Sequence, residues 1–226
     1  TYAKKLGDEF MDDIDGINEG YPIFKFQNTT SDDKYAVAPE NAYSNWDYTL
    51  DNEKNIILLN SYVGSESDVI IYGKYIVNGH QYKTQITRET FADIEYREKS
   101  KFTSLLFSHN IDTSNIARMS SMFYGYTSLT NIDIGGFNTA NVIDMSFMFC
   151  DCNKLTSLNL SGFDTSNVES MISMFHSCRA LENLDLSKFD TRNTTSMDSM
   201  FYGCSNMKNI LVTKEIWSTP DNVSGM

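Results

Sequence analysis

Apolar and polar residues along the second half of the chain follow two alternating spacings. Leu155, Leu158 and Leu160 take turns with Ser157, Asn159 and Ser161. That period of two predicts a short strand buried on one face. Phe163 closes the far end of the strand, and Asp164-Thr165-Ser166-Asn167 supplies turn and cap residues. Val168, Met171, Met174 and Phe175 then recur at i, i+3, i+6 and i+7, which predicts one or two helical turns with an apolar stripe. Ser166 and Glu169 have the spacing of a capping box.

The same phrase returns. "FDTSNVESMISMF" at Phe163–Phe175 is matched by "IDTSNIARMSSMF" from Ile111, "FNTANVIDMSFMF" from Phe137 and "FDTRNTTSMDSMF" from Phe189, a constant step of 26 residues. A step of this size marks a solenoid, whose units bury their apolar faces only by stacking on their neighbours. The repeats span 111–136, 137–162, 163–188 and 189–214. A degenerate coil at 88–110 precedes them, with Phe91 at an apolar helix position and Leu105–Phe107 as strand. In a partial unit at 215–226, Glu215 stands where phenylalanine is expected, while Val223 and Met226 regain the methionine columns. Either further coils follow or this turn closes the array.

Stacking turns sequence positions into columns. Asn115, Asn141, Asn167 and Asn193 read as a structural ladder, because each amide can satisfy turn backbone groups above and below it. Met119, Met145, Met171 and Met197, with Met122, Met148, Met174 and Met200, read as core, as do Phe123, Phe149, Phe175 and Phe201. Cys152, Cys178 and Cys204 share a column with Tyr126. Side chains in register point the same way, so buried free thiols are expected rather than disulfides.

The first hundred residues lack the period. Trp46, Tyr48 and Leu50 alternate, "NIILL" and "DVIIY" are short β-rich runs, and Asn78-Gly79 separates two alternating stretches as a type I′ hairpin turn would. Residues 44–87 therefore read as a β-hairpin cap over the first coil. Residues 1–43 form an N-terminal helical or linker segment, with Leu6, Phe10, Ile14 and Ile17 near one helical face and Gly20-Tyr21-Pro22 ending it. The acidic "DDIDG" lacks the ligand spacing of a calcium loop.

Net charge is −12, with no basic cluster. Such a surface repels phosphate backbones, which argues against nucleic-acid binding. No apolar run of membrane-spanning length occurs, so no membrane insertion is expected. His80, His109 and His176 lie in no nucleophile or metalloprotease motif, and no glycine-rich phosphate loop is present, so neither catalysis nor a cofactor is expected. Cys150, Cys152, His176 and Cys178 have the residue types of a zinc set. On a helix, however, residues i and i+2 diverge by about 200°, so no metal is assigned.

Two surfaces carry candidate partner-binding residues. The exposed strand face presents small polar columns, Asp133, Asn159 and Asp185 among them, without the aromatic and arginine anchors of binding hot spots. The helix-side column of Tyr124, Cys150, His176 and Tyr202, with Tyr126 beside it, offers such anchors.

The phrase "FDTSNV..M..MF..C..L..L.LS.FDT" resembles the BspA-like leucine-rich-repeat surface proteins, in their methionine-rich subtype long described as a domain of unknown function of mycoplasmas and low-GC Gram-positive bacteria. The likeness covers residues 88–226. "IILLNSYVGSESDVIIYGKYIVNGHQYKTQI" is similar to the β-cap that precedes such arrays. "LGDEFMDDIDGINEGYPIFKFQ" looks like the tail between modules of large Gram-positive surface proteins, with Phe24 and Phe26 in place of the usual leucine and tryptophan. The expected fold is thus α/β: a leucine-rich-repeat solenoid with short parallel strands and short helices, preceded by a small β-cap. The resemblance implies an extracellular, cell-surface or secreted module for adhesion, with a host extracellular-matrix protein or glycan as partner. A non-binding spacer or display element of a larger surface protein is the alternative.

Overall fold

The 26-residue step becomes a backbone ladder. In the computed structural model, which describes residues 37–220 and two short strands before them, the Met119 N–H donates to Asp144 O at 2.8 Å. Met145 donates to Ser170 O and Met171 to Ser196 O in the same way, each at 2.9 Å. Alternate residues continue the pattern: Ser121 reaches Ser146 O, Phe123 reaches Met148 O and Gly125 reaches Cys150 O. Each coil is therefore tied to the next along the whole segment that was expected to be helical.

That segment is not a helix. An α-helix spends its N–H groups internally, whereas here every second one leaves for the adjacent coil. The chain runs instead as consecutive turns, closed by Met122 N–H to Met119 O and Tyr124 N–H to Ser121 O. Left-handed backbone recurs at Ser121, Phe147, Ser173 and Ser199, and again at Gly125, Asp151, Ser177 and Gly203. Turns that advance three residues at a time reproduce the i, i+3, i+6 burial of a helix, which is why the apolar spacing read as one.

Strands β1 (Phe10–Met11) and β2 (Ile23–Phe24) pair antiparallel, Phe10 opposite Phe24. Phe10 is thus extended rather than helical, in keeping with the preference of aromatic and β-branched residues for a pleated pair. Leu6, Ile14 and Ile17 of the expected helix, and Val223 and Met226 of the partial repeat, lie outside the described residues.

The cap follows. After a 3-10 turn at Ala42–Asn45 come β3 (Trp46–Asp51), β4 (Ile56–Tyr62), β5 (Asp68–Ile71), β6 (Lys74–Val77) and β7 (His80–Ile86). Four of them form a sheet in the order β3-β4-β7-β6. β6 and β7 make the expected hairpin, with Asn78 and Gly79 both at positive φ, 51° and 76°. β5 leaves that sheet and pairs in parallel with β8 (Ser104–Phe107), which pairs in turn with β9 (Asn131–Asp133). The cap thereby supplies the first rung of the array's own sheet. Two short helices, α1 (Glu89–Ala92) and α2 (Tyr96–Lys99), occupy the junction.

Later coils add β10 (Asn183–Leu186) and β11 (Asn209–Val212), paired in parallel residue for residue, Asn183 with Asn209. Leu155–Leu160, expected as strand, belongs to neither sheet although all three leucines are buried. The leucine pattern reports which face is buried, and burial does not require ladder bonds.

One apolar core runs from Ala38 to Met200. Its axis is a phenylalanine stack: Phe123, Phe149, Phe175 and Phe201 follow at 5.7, 5.8 and 5.7 Å between ring centres. The four thiols are free. Cys152, Cys178 and Cys204 each donate to the phenylalanine carbonyl one coil back, Phe123, Phe149 and Phe175, at 3.0–3.2 Å. Tyr126 performs the same task in the first coil by donating to Phe91 O at 3.1 Å.

Candidate functional site

The turns that stack the coils also decide which side chains reach solvent. On the turn face, His176 is half-buried and lies over Tyr202, ring centres 5.2 Å apart and planes 23° apart; Tyr202 is 60% exposed. Tyr124 is half-buried and meets Tyr96 of α2 at 6.4 Å. Tyr96 owes its place to Lys99 at the other end of the same short helix. The Lys99 ammonium is buried, donates to Ala92 O at 2.8 Å, and lies 6.0 Å from the Tyr124 ring centre and 5.6 Å from that of Tyr126. Such cation–ring contacts fix α2 against the first coil. Burial lowers the Lys99 pKa, opposed by the Asp93 carboxylate.

The column is not a continuous aromatic row. Cys150 stands between Tyr124 and His176 and is buried, its thiol pushed up to about 12 by burial and by Asp151. Asp151 also acts on Tyr124, whose phenol is raised first by burial and next by that carboxylate. The Nδ1 atom of His176 is buried without a hydrogen-bond partner.

Other expected site residues fall elsewhere. Tyr126, placed beside the exposed column by sequence, is fully buried, because its position belongs to the inward cysteine column. Asp133, placed on the exposed strand face, is 2% exposed. Its Oδ1 accepts the Gly135 N–H at 3.1 Å, and its Oδ2 lies 3.8 Å from His109 Nε2. Asn159 and Asp185 are exposed, but each makes the equivalent turn by accepting the N–H of Ser161 or Ser187. Each residue of that column thus gives one side-chain oxygen to its own backbone.

Within the asparagine column, Asn141 donates to Ser114 O, Asn167 to Ala140 O and Asn193 to Ser166 O, at 3.0, 2.8 and 2.6 Å. Asn115, Asn141, Asn167 and Asn193 are all exposed. A threonine column does the buried work. Thr139 accepts the Asp164 N–H at 2.8 Å and donates to Asp164 O at 2.9 Å, and Thr113 and Thr165 repeat this one coil below and above.

Sequence reasoning also missed Phe147. It is 39% exposed at φ 60° in a column otherwise made of Ser121, Ser173 and Ser199. Its signal was its being the one aromatic residue among serines. Among the described residues, no group of three or more His, Cys, Asp or Glu side chains is placed to hold a metal. No helix among them is long and apolar enough to cross a membrane.

Parallel rungs, an inward leucine pattern, one coil per repeat and a β-cap together define a leucine-rich-repeat solenoid. The chain belongs to the family described as "Mycoplasma protein of unknown function, DUF285", whose model matches residues 88–214. Three solved structures are similar. A leucine-rich-repeat protein from Bacteroides ovatus is 15% identical with a TM-score of 0.50, over 79% of this chain and 41% of that one. A leucine-rich cell surface protein from Faecalibacterium prausnitzii is 18% identical with a TM-score of 0.48, over 74% and 41%. The leucine-rich-repeat protein of T. pallidum is 16% identical with a TM-score of 0.48, over 82% and 85%. The match thus spans about two fifths of the first two proteins. No curated protein sequence matches the chain.

Proposed function

We propose that the chain is a non-catalytic leucine-rich-repeat interaction module of a modular bacterial surface protein, acting in adhesion through its turn face. The observation that carries this reading is the aromatic side chains that the turns and α2 present, Tyr96 against Tyr124 and His176 over Tyr202, with Tyr96, Phe147 and Tyr202 exposed. Large aromatic groups held at a surface give the fold little and suit a protein partner. The extracellular setting, and a host matrix protein or glycan as partner, rest on the resemblance of the repeat phrase. A second reading, a spacer or display element, is favoured by the strand face, where Asn159 and Asp185 each give one side-chain oxygen to a local turn.

The test is binding of the purified chain to an immobilised panel of matrix proteins and glycans, beside a Tyr124→Ala/Tyr202→Ala variant. Saturable binding lost in the variant supports adhesion through the turn face. Absence of binding to every panel member up to roughly millimolar concentration, the weak end of specific association, leaves the spacer reading in its place.

A further inference from the structure

The last described coil is covered on one half only. Thr194, Met197 and Met200 are buried, as their counterparts are in the coils below. Ile210 is 38% exposed where Leu184 is 3% exposed one coil earlier, and Phe201 is half-buried where Phe175 is fully buried. The N–H groups of Ser173, Phe175 and Ser177 donate to the next coil, whereas those of Ser199, Phe201 and Gly203 have no acceptor among the described residues. Cover therefore lies over the turn half of this end and stops before Phe201.

The start of that cover is on view. Thr191 Oγ1 accepts the Ser218 N–H at 2.7 Å and donates to Ser218 O at 2.8 Å, repeating the bond pair of Thr165 with Asp190. The partners are 27 residues apart instead of 25, so a fifth coil begins two residues behind the period. Trp217-Ser218-Thr219 thus stands where Phe189-Asp190-Thr191 stands one coil earlier, and Trp217 packs against the core. The turn that follows is also changed. In the coils below, Asp164 and Asp190 accept the N–H two residues on, from Ser166 and Arg192. Pro220 takes that place and has no N–H to give, and the Ser218 hydroxyl donates to Thr191 O at 3.2 Å instead. If one more residue passes at this turn, with Pro220-Asp221 in place of Ser166, then Asn222, Val223 and Met226 align with Asn167, Val168 and Met171.

We infer that residues 221–226 dock on the turn half of this end as the next rung of a fifth coil, 29 residues after their counterparts Asn193, Thr194 and Met197 rather than 26. Asn222 extends the asparagine ladder by donating to Arg192 O, Val223 covers Thr194, Met226 covers Met197, and the Met197 N–H donates to Gly225 O. The segment reaches the Met197 column and no further, which accounts for exposed Ile210 and for the spare N–H groups from Ser199 onward. A plain step of 26 would set Val223 and Met226 over Met197 and Met200 and leave Asn222 outside the ladder. A second copy is a poorer occupant. Two such ends meeting about a twofold axis would set one row of N–H groups against another, and the opposite end of the array is closed by β5 on β8. The inference stands apart from the interface reading, because Tyr202 lies beyond the reach of the segment.

Amide hydrogen exchange of the full chain, read residue by residue by NMR, tests it. The Met197 amide should exchange roughly a hundredfold more slowly than those of Ser199, Phe201 and Gly203 in the same coil, a spread well within that of local opening. Asn222→Ala should speed Met197 roughly fivefold, the worth of one hydrogen bond, and Met226→Asp should speed it by more than roughly tenfold, since a carboxylate cannot stay buried there unpaired. The Met171 amide, one coil below, should keep its rate in both variants and so report an intact array. A Met197 amide as fast as Phe201 in the parent chain would overturn the inference, as would a Met197 rate indifferent to Met226→Asp. Indifference to Asn222→Ala alone would restore the plain step of 26 and overturn the register.

Discussion

Thr165→Val isolates what the threonine ladder contributes. Thr165 is 1% exposed, and its hydroxyl serves one residue of the next coil twice, donating to Asp190 O at 3.1 Å and accepting the Asp190 N–H at 2.8 Å. Valine keeps the shape and removes both bonds. Each lost bond is worth about 1 kcal/mol net, and a donor or acceptor stranded away from water adds about 1–3 kcal/mol more. Water that still reaches half-buried Asp190 relieves part of that penalty, so the expected loss is about 2–4 kcal/mol, in line with measured penalties for buried groups. For a chain of this length that is a fall of roughly 5–15 °C in melting temperature.

Thr165→Ser is the control. It keeps the hydroxyl and loses one buried methyl, for about 1 kcal/mol. The assay is urea unfolding followed by far-UV circular dichroism, together with thermal melts, on the parent and both variants. Valine should cost clearly more than serine. If valine lies within about 0.5 kcal/mol of the parent, the usual range of neutral substitutions, or if serine costs as much as valine, the ladder is not held by its hydroxyls.

Burial and close packing elsewhere in the array set three further outcomes. The Cys150, Cys152, Cys178 and Cys204 thiols are all raised by burial, Cys150 to about 12, so their contribution is complete below the unfolded thiol range near pH 8.5 and is lost as pH rises towards 12. Stability in chemical unfolding should therefore fall above about pH 9, by up to about 1.4 kcal/mol per pH unit for each fully buried thiol and by less for half-buried Cys204, and fall less steeply in Cys178→Ala; a slope unchanged by that substitution would contradict the reasoning. Gly162→Ala should destabilise by about 1–3 kcal/mol, because its added carbon would sit 2.8 Å from Gly135 O, whereas Gly79→Ala meets nothing nearby and should cost about 1 kcal/mol for its φ of 76° alone. Equal losses in chemical unfolding would show that coil spacing is not limited at Gly162. Phe149→Ala, at the centre of the ring stack, should cost about 3–5 kcal/mol by the same measurement, and a loss under about 1 kcal/mol would mean that the stack closes over the gap.

Column arithmetic made the solenoid legible, because a period of 26 leaves few ways to bury methionine, phenylalanine and leucine at once. It could not separate a helix from a run of turns, since both bury every third residue, and only the destination of the N–H groups distinguishes them. The asparagine column drew attention through its amides, yet the threonine column was as regular on the page, Thr113, Thr139, Thr165 and Thr191, and it is the buried one. Asp133 was misplaced because strand alternation says which way a side chain leaves the sheet, and not whether a neighbour such as His109 covers it.

Departures from a column carry different information according to where they fall. Tyr126 replaces cysteine in the coil that faces the cap, where the previous phenylalanine carbonyl, Phe91 O, lies in a helix of the junction rather than one repeat back. A longer side chain is needed there to make the bond that Cys152, Cys178 and Cys204 make elsewhere, so Tyr126 reports the end of the array. Phe147 has repeats of the same design on both sides, and no boundary accounts for it. A large residue in a left-handed position, bounded above and below by serines, adds strain without adding core. In a stacked array, an exception at an end is a matter of closure, whereas one in the middle points outward, to what the surface meets.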